Sequence, residues 1–386
     1  MRPLDGLRAL SVLWVVLFHA AWYARFFVPA ERWLPLVFAR WMLPVWRGDF
    51  GVDLFFVLSG FLIAGMLRDE QLRAGRGRGQ IALRRFYVRR LLRLWPALLF
   101  VVVVEQGTDD PHRGMAWANA LYLNDLLPIG VVPLAWTWSL AIEEQFYLVC
   151  PWLLAALAEQ RARARIAVVV ALIVALVGVA AFVVVDRGIR PEDSEVIGNV
   201  DMVRWGFAFD VFYDKPWMRA GALLAGVAAA LVYREPGAMA ALTRGRGLTT
   251  GLVVAALATM GVATHWELVA GASRSVEVAY LASFRTAFAL SAAFVLLVTL
   301  SQHPLGKLLA RPLSSPWLYP FSQLAYAAYL VNPMVTMFLG RQLRGTVAPL
   351  ENPLFVLAPC DLVATFAVAA VIHVLIERPG MNLRPR

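Results

Sequence analysis

Arg8 and His19 stand eleven residues apart in an apolar run from Leu7 to Val28. On a helix, eleven residues is close to three turns, so both side chains share one face, about 16 Å apart along the axis. They cannot touch, but they can line one wall of a path from a membrane surface into the membrane. A His at that depth is costly unless it meets a polar partner or a water-filled cavity. Glu143 and Glu144, with Tyr147 one turn further on, lie in a second apolar run, and Asn332 lies in a third. A carboxylate beside a His orients the imidazole and raises its basicity, the arrangement that takes a proton from a hydroxyl. Each residue also has a plainer reading. A lone His can simply bond a neighbouring helix. Glu143 and Glu144 are about 100° apart around a helix, so at least one is available for packing.

Arg85, Arg89 and Arg93 repeat every four residues and form one stripe. Anchoring at the cytoplasmic boundary accounts for most of the arginines around them. Arg93 differs, because it sits inside an apolar run just before Trp95 and Pro96, where a side chain reaches water with difficulty. Such a stripe suits a phosphate-bearing donor such as coenzyme A, and Arg8 opens onto the same side. Asp53, near the start of another apolar run, is either a helix cap or a group that binds an acceptor hydroxyl. The neighbouring pair Ser59 and Gly60 reads as close helix packing rather than as a nucleophile. No nucleophile elbow, phosphate-binding loop, zinc spacing or paired-His metalloprotease motif is present, so no metal and no permanently bound cofactor is expected. His112, His265, His303 and His373 lie in loops or near helix ends with no evident partner in the sequence.

The elements that must hold these residues follow from composition. Of 386 residues, 60% are hydrophobic and 16% charged, and the mean hydropathy is +0.65. A soluble protein averages about 45–50% apolar and 25% charged. The apolar residues fall in blocks of bilayer-spanning length. The expected fold is an all-α integral membrane protein, one domain over residues 1–386. About ten membrane helices are expected, near 7–28, 51–68, 86–104, 134–158, 166–185, 217–233, 248–266, 279–300, 320–340 and 354–376. The stretch from Glu31 to Trp46 is Pro-broken and aromatic, and reads as an interfacial segment with Trp33, Trp41 and Trp46 at the headgroup level. The net charge is +10, but the positive residues sit in short loops between apolar blocks. That pattern points to membrane orientation and away from nucleic acid. The first apolar run is too long for a cleaved signal and is expected to remain as an anchor. Cys150 and Cys360 provide no disulfide framework.

The loops set the orientation. Residues Arg68 to Arg93 carry nine arginines and read as cytoplasmic, as do the loops holding Arg161 to Arg165, Arg234 to Arg246, and Lys307 to Arg311. Loops with Asp109, Asp110 and Asp125, and with Glu192 to Asp214, face outward. Both termini are then cytoplasmic. On this orientation His19 lies about 18 Å from the cytoplasmic end of its helix, and Glu143 and Glu144 lie about 14–15 Å below the outer surface. In a core of about 30 Å these depths nearly coincide, and Asn332 reaches a similar level. A base, two carboxylates and an amide at one depth call for a partner network or a cavity.

At these residues the chain resembles the acyltransferase family 3 membrane proteins, which transfer acyl groups, usually acetyl, to carbohydrates and other hydroxyl acceptors. The stretch Leu4 to Leu10 followed by His19 resembles the family's Arg-x10-His motif. The stretches Gly51 to Ile63, Phe86 to Pro96 and Thr137 to Tyr147 resemble its second, third and fourth signatures, in order, and the likeness covers nearly the whole chain. The resemblance implies a cytoplasmic acyl-CoA donor, His19 and Arg8 as essential residues, and Glu143 as carboxylate partner. One departure stands out: many members have a His where this chain has Asn332, and Asn can bond a hydroxyl but cannot titrate. No hydrolase-like domain, such as some members carry, is expected after the last helix.

The expected function is O-acyl transfer in the cell membrane, from acyl-CoA, acetyl-CoA in the usual case, to a hydroxyl of a cell-surface carbohydrate or glycolipid. His19 and Glu143 are the expected catalytic residues, and Arg8, Arg85, Arg89 and Arg93 the donor site. Asp53, Glu144, Asn332 and Tyr147 are acceptor-binding or supporting. His19 acts either as general base or as transient acyl carrier. A glycosylated natural product is the alternative acceptor, and a transporter or flippase without acyl transfer is the rival class. Inverted repeats or paired broken helices would favour that rival, and neither is evident.

Overall fold

Long apolar runs free of helix breakers form helices, because in lipid only internal hydrogen bonds satisfy the backbone. The computed structural model describes residues 2–74, 83–194 and 202–384, and the regular structure among them is helical with no strand. Among the described residues, ten helices have 18 residues or more: α1 (Arg2–Ala24), α2 (Phe50–Ala74), α3 (Leu83–Gln106), α4 (Trp138–Ala156), α5 (Ala162–Asp186), α6 (Pro216–Tyr233), α7 (Arg246–Ala263), α8 (Arg274–Thr299), α9 (Leu318–Val347) and α10 (Leu354–Ile372). Each coincides with an expected span. Seven of the ten, all but α3, α4 and α9, are long and apolar enough to cross a bilayer, and the protein is an all-α integral membrane protein. The other three carry the polar load. Five arginines fall within the first eleven residues of α3, α4 holds the two glutamates, and α9 continues into Arg341 and Arg344. Residues of α5 and α7 such as Val174, Phe182 and Val254 point outward, as lipid-facing side chains do.

The chain divides into two compact units. The first comprises Met1–Val52, Val88–Ala116 and Leu313–Arg386. Its core is α1 packed on α9 and α10, with α9 against α10. The contacting faces are rich in small residues, with Ala9, Ala20, Ala21, Ala325, Ala327, Ala328 and Ala369 all essentially inaccessible. Small side chains let helix backbones approach closely where no hydrophobic effect drives association. Glu31 to Trp46 lies in short helices, Ala30–Phe38 with Pro35 inside it, Arg40–Met42, and Leu43–Trp46 with Pro44 in its first turn. Trp41 is exposed, whereas Trp33 and Trp46 pack inside the unit. Their indole N–H groups donate to the carbonyls of Ala21 and Leu36, so burial leaves neither unsatisfied.

The second unit comprises Asp53–Tyr87 and Trp117–Pro312. In it α5, α6 and α8 pack against one another and α7 packs on α8. Helices α2 and α6 cross at Gly60 and Gly226, where a Cβ on Gly60 would strike the Leu223 carbonyl and one on Gly226 the Val57 carbonyl. The close-packing reading of Ser59 and Gly60 holds for the glycine. The arginine-bearing run Gly75 to Gly79, and Glu195 and Asp201 among the loop acids, lie outside the described residues.

Candidate active site

In the first unit, His19 of α1 faces Asn332 of α9, and its Nδ1 lies 2.8 Å from Asn332 Oδ1. His19 is half-buried as a residue, whereas Asn332 is fully buried. The rings of Phe18, Tyr23 and Tyr329 surround it at 5.5, 6.0 and 6.4 Å between centroids. Asn332 in turn donates from Nδ2 to Asp361 Oδ2 of α10 at 2.9 Å and to Thr365 Oγ1 at 3.1 Å. Thr336 Oγ1 lies 2.8 Å from Asp361 Oδ1 and 2.8 Å from the Asn332 carbonyl one turn back. Pro333 follows Asn332 inside α9 and removes the N–H that would bond the Tyr329 carbonyl. Helix α9 is thus irregular where it carries the amide. Asn332, Thr336, Asp361 and Thr365 are all inaccessible to solvent. Every one of their side chains is bonded, as burial at that depth demands.

In the second unit, Glu143 is buried on α4 and accepts hydrogen bonds at one carboxylate oxygen, Oε1, from Ser59 of α2 and from Tyr147 one turn along α4. Glu144 is partly buried beside it. Asp53 is the fourth residue of α2 and fully buried. It pairs with Arg285 of α8 at 2.7 Å and with Arg219 of α6 at 3.3 Å. The Arg219 guanidinium also lies 4.8 and 4.7 Å from the ring centroids of Trp138 and Tyr213, and that of Arg285 lies 4.9 Å from Tyr213. Asp53 therefore anchors three helices of this unit.

Of the expected donor residues, Arg8 lies on α1 with an ion pair to Asp5 at 3.7 Å. Arg85, Arg89 and Arg93 lie on the first turns of α3. Arg93 interacts electrostatically with Glu377, which also bonds His373 Nδ1 at 2.5 Å. His373 therefore has a partner, one turn further along its own helix. Among the described residues, no three His, Cys, Asp or Glu side chains group closely enough to hold a metal ion.

Sequence reasoning passed over Asp361, Thr336, Thr365, Arg219 and Arg285, and read Ser59 as packing alone. A signal existed for three of them. Asp361 is the one charged residue within the apolar run Leu354 to Ile372, Arg219 is the lone cation of α6, and Arg285 is a cation midway along α8.

In a helical membrane protein, a half-buried histidine wired to a buried amide and carboxylate marks a functional site rather than a passive span. The chain belongs to acyltransferase family 3, whose family model, described as an acyltransferase domain, matches residues 2–374. It is 34% identical over 176 residues to the protein named "Putative O-acetyltransferase SAS0844" of Staphylococcus aureus (strain MSSA476), a match covering 41% of this chain and 25% of that protein. It is 32% identical over 166 residues to the O-acetyltransferase OatA of Staphylococcus aureus (strain NCTC 8325 / PS 47), covering 38% of this chain and 24% of OatA. The match therefore spans about a quarter of the length of these relatives. No solved structure matches the chain.

Proposed function

We propose that the protein is an O-acetyltransferase of the cell membrane, moving an acyl group from cytoplasmic acyl-CoA to a hydroxyl of a cell-surface carbohydrate or glycolipid. One observation carries this reading: in a chain of an acyltransferase family, a partly exposed His19 has one ring nitrogen engaged by the buried Asn332 and the other left to react. The names of the relatives, O-acetyltransferases, support the acyl group as acetyl and the acceptor atom as oxygen.

In direct transfer, His19 Nε2 takes the proton from the acceptor hydroxyl as its oxygen attacks the thioester carbonyl. The C–S bond breaks, and the imidazolium returns the proton to the departing thiolate. In stepwise transfer the same nitrogen carries the acyl group between donor and acceptor. The donor phosphates lie against Arg8, Arg85, Arg89 and Arg93, whose forked guanidiniums match phosphate oxygens. Glu143, held by Ser59 and Tyr147 within its own unit, is assigned a catalytic role, and Asp53, Glu144 and Asn332 are assigned roles supporting or binding the acceptor.

The test compares a deletion strain carrying the parent protein with one carrying His19→Ala at equal abundance. Mass spectrometry reads base-labile acyl groups on surface glycans and glycolipids. The expected result is an acyl mass present with the parent and absent with His19→Ala. An unchanged surface together with unchanged soluble hydroxylated metabolites would overturn the proposal and favour a transporter.

A further inference from the structure

We infer that Asp361, acting through Asn332, holds His19 in the tautomer with the proton on Nδ1, which leaves the Nε2 lone pair as the reacting group. This rests on His19 being the reacting base or carrier. It adds a positioning residue, Asp361, that neither the sequence motifs nor the family match assigns.

The argument runs outward from the carboxylate. An ionised carboxylate only accepts hydrogen bonds. Asp361 is fully buried in the middle of an apolar helix, so its charge persists only if donors surround it. Those donors are Asn332 Nδ2 at 2.9 Å, Thr336 Oγ1 at 2.8 Å and Thr365 Oγ1 at 3.4 Å. An Asn amide has two ends of opposite polarity, and its orientation is set by its hydrogen-bond network. Turned over, Asn332 would press its carbonyl oxygen against the carboxylate. The carboxylate therefore selects the NH2 end, and Thr365 Oγ1 takes its second hydrogen. The oxygen, Oδ1, is then fixed toward His19. An acceptor 2.8 Å from Nδ1 demands that Nδ1 carry a hydrogen. In a neutral imidazole that leaves Nε2 unprotonated. The negative charge, relayed through one amide, also stabilises the imidazolium when Nε2 takes up a proton, the task a directly bonded Asp performs in other His-dependent enzymes. A non-titrating Asn suits this position, because a group that exchanged protons here would not fix the tautomer.

The experiment uses the full-length protein in lipid nanodiscs with ring-15N-labelled histidine, the His19 signals being those lost in His19→Gln. The parent is expected to show a protonated Nδ1 and an unprotonated Nε2 while the ring is neutral. Asp361→Asn keeps the shape but offers either end of an amide, so His19 should populate both tautomers. In acyl transfer from acetyl-CoA, kcat should fall about 10²-fold with the KM for donor within about twofold. Asp361→Glu should recover the parent tautomer. Thr365→Val, which removes a single hydroxyl, should shift the tautomer ratio in the same direction as Asp361→Asn and serves if that variant does not fold. A parent with Nε2 protonated, or a tautomer unmoved by both Asp361→Asn and Thr365→Val, would overturn the inference. The tautomer is read without turnover. A relay confirmed by NMR with no His19-dependent acyl transfer would leave Asp361 as the group that sets the tautomer but overturn the proposed function and the reacting role of Nε2, whereas His19-dependent transfer with an unmoved tautomer would sustain the function and overturn the relay.

Discussion

Asn332 serves two partners with one amide, His19 through its oxygen and Asp361 through its nitrogen. Replacing it with Ala would strip Asp361 of one of its three side-chain donors while leaving the charge buried. A stability loss of about 1–3 kcal/mol is expected, read as a lower unfolding midpoint in detergent, together with lost acyl transfer. Glu143 separates structure from chemistry differently. A Gln there can still accept from Ser59 and Tyr147, so Glu143→Gln should unfold near the parent temperature. If the carboxylate charge is used in turnover, kcat should fall about 10²-fold or more. Parent-like turnover in that variant would remove Glu143 from the chemistry. At this scale His19, Glu143 and Asn332 were legible because polar side chains in apolar runs are conspicuous. Asp361 is equally conspicuous and was passed over. Depth along a helix can be read from residue counts, but the direction a side chain faces around the axis depends on which helices pack together. The placement of α10 against α1 and α9 carries no sequence signal.

The ten helices were legible for a simpler reason: a run of apolar residues of bilayer length has few alternatives to a helix. Their ends were less so. Helix α9 was expected over 320–340 and runs Leu318–Val347, because Arg341 to Val347 continue the helix beyond the apolar run. Helix α4 was expected from 134 and begins at Trp138, after a tighter turn at Ala135–Thr137 that follows Pro133. Packing between helices was legible only at Gly60. There the α2 and α6 backbones meet without room for a Cβ, and the opposing atoms are backbone carbonyls that cannot move aside. Gly60→Ala and Gly226→Ala should each cost about 1–3 kcal/mol, measured as a fall in the unfolding midpoint. Gly251→Ala on α7, where a Cβ meets nothing, should leave that midpoint unchanged or slightly raised.

For the whole molecule, the composition alone placed the chain in a bilayer, and the outward-facing apolar residues of α5 and α7 agree. Two loop carboxylates contribute a pH response. Burial pushes Asp214 up to about 7, against the opposing pull of Lys215, and Asp125 up to about 6, against its hydrogen bond from Gln145. Both hold their protons to higher pH when folded than when unfolded. The folded state therefore binds more protons between the ordinary carboxylate value and about pH 7, and stability falls as pH rises through that window. Unfolding midpoints taken from pH 5 to pH 8 should decline in the parent and decline less in Asp214→Asn; an equal slope in both would contradict this. The central claim, that His19 moves an acyl group from acyl-CoA, has a more direct test. Membrane vesicles carrying the parent or His19→Gln, the latter checked for equal abundance and unfolding midpoint, are given acetyl-CoA labelled in the acetyl group. Release of free CoA thiol and base-labile label in the vesicle fraction are followed together. The expected result is both signals with the parent and neither above background with His19→Gln. Equal release and equal labelling in the two preparations would contradict the account at its centre.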